Sequence, residues 1–234
     1  MLKRNSAKLM VLMLMLAFVF TAGQAQAFDT VVGEADVDLE ADRPDIRTRE
    51  TNLGNMVADI FVEATGADMA FMNGGGIRNT VEAGEITLEN VMEIHPFENM
   101  IATMELTGEE VIEVLEHGVS QHPEHWGGFP QISKELSFKF NTFAEPGERV
   151  QKVWYEGEEI DPEEEFIVAG SDFIFAGGDD YEMLEEKEVI EEFVTIDQAI
   201  IDHLDEHSPV APEVDGRIFS TLSMQPDEAE EDDE

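Results

Sequence analysis

The chain has no cysteine and very little positive charge: 13 Lys and Arg stand against 54 Asp and Glu, a formal net charge of -41 over 234 residues. Without cysteine there is neither a disulfide framework nor thiol chemistry, so the fold must rest on its apolar core. So negative a surface repels other polyanions, which excludes a nucleic-acid polymer, anionic lipid or an acidic protein as partner. There is no Gly-x-Ser-x-Gly, no Walker A sequence and no His-Glu-x-x-His, so serine acyl transfer, P-loop hydrolysis and that form of zinc site lose their usual carriers. No apolar run after residue 20 is long enough to span a bilayer.

What is present divides the chain into three. Lys3, Arg4 and Lys8 precede an unbroken apolar run from Leu9 to Phe20, and Ala25-Gln26-Ala27 follows as a small-x-small site. This pattern predicts a secretory signal over residues 1–27, an exported protein and no stable membrane anchor. Seven acids surround Ala229 between Asp227 and Glu234, predicting a solvated acidic tail over 223–234. Between them, residues 28–222 read as one layered domain; hydrophobic residues are 42% of the whole, enough for a core. The acids are spread along the whole sequence, a pattern suited to high salt, where screening relieves repulsion.

Periodicity places the elements. Val31-Val32 and Val37–Leu39 read as short strands, and Leu53, Met56, Val57, Ile60 and Phe61 recur at helical spacing behind Thr51 or Asn52 as cap, with Gly66 as stop. Gly54 costs this helix propensity, so close packing is expected to require it. Ala70–Met72 reads as a strand, 87–94 as a short helix ended by His95-Pro96-Phe97, and Met100–Leu106 as a half-buried strand. Thr107 and Glu110 match a capping box ahead of an apolar face ending at Val119. After a loop over 120–131, strands are expected at 136–140, 150–155, 166–169 and 214–219, with a helix over 196–204. Strands and helices mix without a strict βαβ period, which predicts an α/β domain with a mixed sheet in two or more layers.

The chemistry concentrates in 73–97, where Asn73 is followed by Gly74, Gly75, Gly76, Ile77 and Arg78. Three successive glycines imply positive φ or a close approach by another group. A second pair, Gly177-Gly178, leads into Asp179 and Asp180. Arg47, Arg49 and Arg78 are three of only ten basic residues after residue 27, and they suit an anion such as phosphate. Phe97 and Phe173 stand beside these segments, either as rings that sandwich a base or as core. Asp179 can accept hydrogen bonds from a ribose diol. Of six histidines, His117, His122 and His125 cluster near one loop, and His203 and His207 are four apart on a helix. The loop group could bind zinc or manganese and the helix pair could chelate a metal on one face, but surface imidazoles are the simpler reading of both groups, and no metal site is assigned.

The segments 46–61, 73–78, 84–101, 105–119, 127–133 and 171–184 together resemble the C-terminal domain of the secreted 5'-nucleotidase family in order and spacing. The resemblance implies a mixed-sheet α/β module that binds nucleotide, while a separate N-terminal metallophosphatase domain carries two divalent metals and the catalytic histidine. It further implies that Arg47 and Arg78 hold phosphate, Asn73 contacts the base, Phe97 and Phe173 stack it, and Asp179 accepts from the ribose. Asp180 departs from the family's Gly-Gly-Asp-Gly, so that turn is either altered or left-handed at some cost. The metal-ligand motifs of the catalytic domain are absent from the sequence. The expectation is therefore a domain that binds a nucleotide or nucleoside and has no catalytic residue and no cofactor of its own, divalent metals belonging to a separate catalytic domain and a separately encoded metallophosphatase chain being its partner. An autonomous nucleotidase and a degenerate structural fragment are the alternatives.

Overall fold

Met69–Asn73 is buried at all five positions, as a strand covered on both faces must be. Around it the computed structural model describes residues 28–221, so the expected signal segment and acidic tail lie outside the described residues. In chain order the elements are β1 (Val31–Ala35), α1 (Arg43–Ile46), α2 (Asn52–Thr65), β2 (Met69–Asn73), β3 (Gly84–Thr87), α3 (Leu88–Ile94), β4 (Met100–Thr107) and α4 (Gly108–Val119). They continue with β5 (Pro130–Ile132), β6 (Leu136–Phe140), β7 (Val150–Tyr155), β8 (Glu158–Glu159), β9 (Glu165–Ser171), α5 (Asp172–Phe175), β10 (Val189–Thr195), α6 (Ile196–His207) and β11 (Ile218–Ser220).

The central sheet has the order β10-β4-β9-β2-β5. Only β2 and β9 run parallel in it, with Met69 opposite Val168 and Ala70 opposite Ala169. A second sheet, β11-β6-β7-β8, and the antiparallel pair β1-β3 complete the described strands. Alternation along β2 sends Ala70 and Met72 into one core with Leu53, Val57, Ile60 and Phe61 of α2 and Ile200 and Leu204 of α6. Met69 and Phe71 enter the other core, with Val111, Val114 and Leu115 of α4 and Phe138, Phe140 and Val153 of the second sheet. The result is the mixed-sheet, layered α/β domain that the sequence predicts.

Caps fix the helix ends. Thr51 Oγ accepts from the Gly54 amide at 3.1 Å to start α2, and Gly66, at φ 70°, ends it. Thr107 and Glu110 form the expected reciprocal box at the start of α4. Four strands, β3, β5, β8 and β10, are not legible from periodicity; β5 pairs with β2 at the end of the segment expected to be loop over 120–131, and the closing strand is shorter than expected. Its first half is diverted because Glu50, 7% exposed, accepts from the amides of Asp215, Gly216, Arg217 and Ile218. Residues 37–39 form no strand either; Leu39 makes only an isolated bridge to Val81. No helix among the described residues is long and apolar enough to cross a membrane.

Candidate functional site

The parallel pair β2 and β9 ends beside a cavity of about 270 Å³ whose walls include Arg47, Asn73, Arg78, Phe97, Phe173 and Asp179. The six residues to which the resemblance gives a ligand role therefore line one cavity, although they lie up to 132 positions apart. The elements deliver them in different ways, and glycines decide several of the approaches.

Arg47 follows α1 directly, on a segment held by the buried Gln131. Gln131 Nε2 donates to the carbonyls of Ile46 at 3.1 Å and Arg49 at 2.7 Å, and its Oε1 accepts from the Thr51 amide at 3.0 Å. A Cβ on Gly54 would lie 2.1 Å from that Oε1, so the expected close approach at Gly54 is to the Gln131 side chain. A Cβ on Gly74 would lie 2.0 Å from the Ile46 carbonyl oxygen. The triple glycine thus serves close packing, Gly74 against the Arg47 segment and Gly75 against the Gly127 backbone, with none of its residues at positive φ. Two of its amides are paired within the fold: Gly74 donates to Phe129 O and Gly75 to Gly127 O, each at 2.7 Å.

Arg47 is half-buried, and its Nε has no hydrogen-bond partner. Burial lowers its pKa, and repulsion from Arg43 and Arg78 adds to this against the attraction of Asp179. Arg78 lies with its guanidinium carbon 5.0 Å from the centroid of the Phe97 ring. Phe97 and Phe173 are 38% and 44% exposed, so neither ring is core. A Cβ on Gly178 would meet the Phe173 ring at 2.5 Å, so that glycine lets the following turn pack beneath the ring. Gly177 enters the turn at φ 84°.

Asp179 is fixed from two sides: Asn73 Nδ2 donates to its Oδ2 at 2.7 Å and His117 Nε2 donates to its carbonyl at 3.1 Å. Asp179 and Asp180 both take left-handed conformations, at φ 49° and 60°. Of the two outcomes expected at 180, the structure has the left-handed aspartate.

Two further polar residues line the cavity, His95 and Asn99. His95 is 2% exposed; Nδ1 donates to the Gly76 carbonyl at 2.9 Å, and the ring meets Phe97 edge-on at 5.4 Å. Burial pushes the imidazole pKa down against the opposing pull of that carbonyl, which favours the neutral ring. With the proton on Nδ1, Nε2 is a buried acceptor without a partner. In the sequence, His95-Pro96 signals only a helix end. Arg49 is not part of the site: it pairs with Asp45 at 2.5 Å on an exposed surface.

The cavity does not suit a two-metal centre. Among the described residues, Asp179 and His95 are the only carboxylate and imidazole on its walls, fewer ligands than two metal ions need. Elsewhere the expectation of a chain with no metal site of its own is corrected. Glu63, His203 and His207 place one potential ligand atom each within 4.8 Å of one another. The helix pair that reads as surface imidazoles faces Glu63 of α2, across a helix contact the sequence does not reveal. The loop histidines go to other partners: His122 Nδ1 lies 3.0 Å from Thr142 Oγ1, and His117 packs against Tyr181 and Trp126.

The family model "5'-nucleotidase, C-terminal domain" matches residues 31–186. Trifunctional nucleotide phosphoesterase protein YfkN of Bacillus subtilis strain 168 is 37% identical over 198 residues, which cover 80% of this chain and 14% of that protein. Protein UshA of Escherichia coli K12 is 34% identical over 165 residues, 70% of this chain and 28% of that protein. The crystal structure of a 5'-nucleotidase precursor from Thermus thermophilus superposes with a TM-score of 0.81 at 32% identity, covering 87% of this chain and 42% of that one. The chain thus spans less than half the length of each of these relatives. It belongs to the 5'-nucleotidase C-terminal domain family.

Proposed function

We propose that this domain is the nucleotide- or nucleoside-recognition unit of an exported phosphoesterase system, with bond cleavage carried out by a separate catalytic unit. The observation that carries the reading is the pairing of two unsatisfied buried groups in one cavity. Arg47 offers an N–H and His95 offers a lone pair, and both lie beside two exposed phenylalanine rings. An unpaired buried polar group costs roughly 1–3 kcal/mol, so a ligand that satisfies both gains binding energy where the empty cavity loses it.

Roles follow from the chemistry of each wall. Arg47 and Arg78 are the cations for a phosphate, and Arg47 is the better placed because its partial burial strengthens a charge-assisted bond. Phe97 and Phe173 present faces on which a base stacks, each contact worth ~1–3 kcal/mol. Asp179, held by Asn73, accepts from ribose hydroxyls through its remaining lone pairs. His95 Nε2 accepts from an N–H or O–H of the ligand. Among the described residues one carboxylate and one imidazole line this cavity, fewer ligands than a two-metal water-activating centre needs, and this supports assigning cleavage elsewhere.

Calorimetry with AMP, adenosine and a UDP-sugar in high-salt buffer tests the reading. One-to-one binding is expected, weakened at least about tenfold in the Phe97→Ala/Phe173→Ala double variant by loss of stacking. Arg47→Ala should weaken AMP more than adenosine. Folded protein that gives no heat with any of the three would rule the recognition role out.

A further inference from the structure

Glu63 lies in the last turn of α2, and His203 and His207 lie at the end of α6. Four residues apart, the two histidines project from one side of α6. Their rings are 4.6 Å apart, and each presents a different nitrogen to the same carboxylate: His203 Nδ1 is 2.7 Å from Glu63 Oε2, and His207 Nε2 is 2.8 Å from Oε1. None of the three lines the cavity beside β2 and β9.

We infer that Glu63, His203 and His207 form a binding site for a borderline divalent transition-metal ion of the zinc type, which clasps the end of α2 to the end of α6. Two imidazoles and one carboxylate are the donor set that zinc accepts in open sites, with water completing the tetrahedron. A tetrahedral ion about 2.0–2.2 Å from each donor holds those donors roughly 3.3 Å apart. The three ligand atoms are already within 4.8 Å, so side-chain rotations suffice and no helix has to move. His207 and Glu63 are 45% and 42% exposed, which leaves an entry path and room for bound water. Both helices bring their C-terminal turns here, where unpaired carbonyls carry partial negative charge and favour a cation.

The donor set also sets selectivity. Magnesium and calcium take oxygen ligands almost exclusively, so two imidazoles disfavour them and favour zinc, cobalt, nickel or copper. This matters because a chain of net charge -41 gathers cations non-specifically. Diffuse accumulation does not distinguish zinc from magnesium by way of histidines; a clasp does.

The test uses chelator-treated, desalted full chain. Zinc chloride should bind one-to-one by calorimetry and raise the melting temperature, while the same concentration of magnesium chloride leaves it unchanged. His203→Ala/His207→Ala should abolish both zinc effects, and Glu63→Gln should weaken zinc more than about tenfold, since even outer-shell partners of metal ligands cost that much. Circular dichroism of the variants separates lost binding from lost folding, and AMP binding by the double variant should match the unaltered chain. The inference is overturned if zinc has no effect on the unaltered chain, if magnesium matches it, or if the folded double variant responds to zinc as before.

Discussion

Gly54 shows how far from the cavity a single residue can set its geometry. An added methyl at this position meets the Gln131 amide that pins the carbonyls on either side of Arg47. Gly54→Ala gains helix propensity but overpacks the interior, and overpacking, at about 1–3 kcal/mol, exceeds the roughly 1 kcal/mol of propensity. Net destabilisation in urea titrations is therefore expected, together with weaker AMP binding as Gln131 releases the Arg47 segment. At this scale the sequence announces the arginines, phenylalanines and glycines because each is expensive or rare in its context. It is silent about Gln131 and His95, whose importance comes from carbonyls that only the fold brings to them. A second outcome concerns pH. Burial lowers the pKa of both His95 and His122, so the folded state resists protons that the unfolded chain accepts near pH 6.5. The stability they contribute is full above that value and is lost as pH falls below it, so melting temperature should decline between about pH 6.5 and 5, above the carboxylate range. A flat profile across that interval would refute this.

Elements show the same division. Helices α2 and α4 are legible because their apolar spacing and their caps agree. Strand β10 is not, because its first four residues are exposed and carry no inward alternation. Strand β3 is only four residues long and acquires its identity by pairing with β1. The diverted approach to β11 is hidden for an electrostatic reason. Glu50 is one acid among 54, yet its two oxygens also take Asn55 and so receive five donors, while Arg217 bridges Asp59 and Asp215. Burial pulls the Arg217 pKa down, but its hydrogen bonds to Asp59 and Asp215 outweigh that and raise it. Glu50→Ala leaves the buried amides of Arg217 and Ile218 unpaired and should cost at least about 2 kcal/mol in urea unfolding. A cost below about 1 kcal/mol would mean that water replaces the carboxylate.

At the scale of the whole molecule, charge opposes both folding and the proposed ligand. With 54 acids against 13 bases, self-repulsion acts through solvent over distances that salt screens, since the Debye length falls from about 10 Å at 0.1 M to 3 Å at 1 M. Salt also weakens favourable pairs, but those at exposed sites, such as Arg49 with Asp45, are worth little. The Arg217 guanidinium is only 7% exposed and is screened far less. Repulsion therefore loses more than attraction does, and melting temperature should rise between about 0.1 and 1 M NaCl. The same balance extends to binding, where two effects compete for a phosphate dianion. Long-range repulsion from the surface slows its approach at low salt, whereas its short contact with partly buried Arg47 is shielded from ions in both conditions. The association rate for AMP should increase as salt rises while that for adenosine, which carries no charge, stays constant. Stopped-flow fluorescence of both ligands across the salt series measures this, and a falling AMP rate would show that the local arginines, not the net charge, govern the encounter.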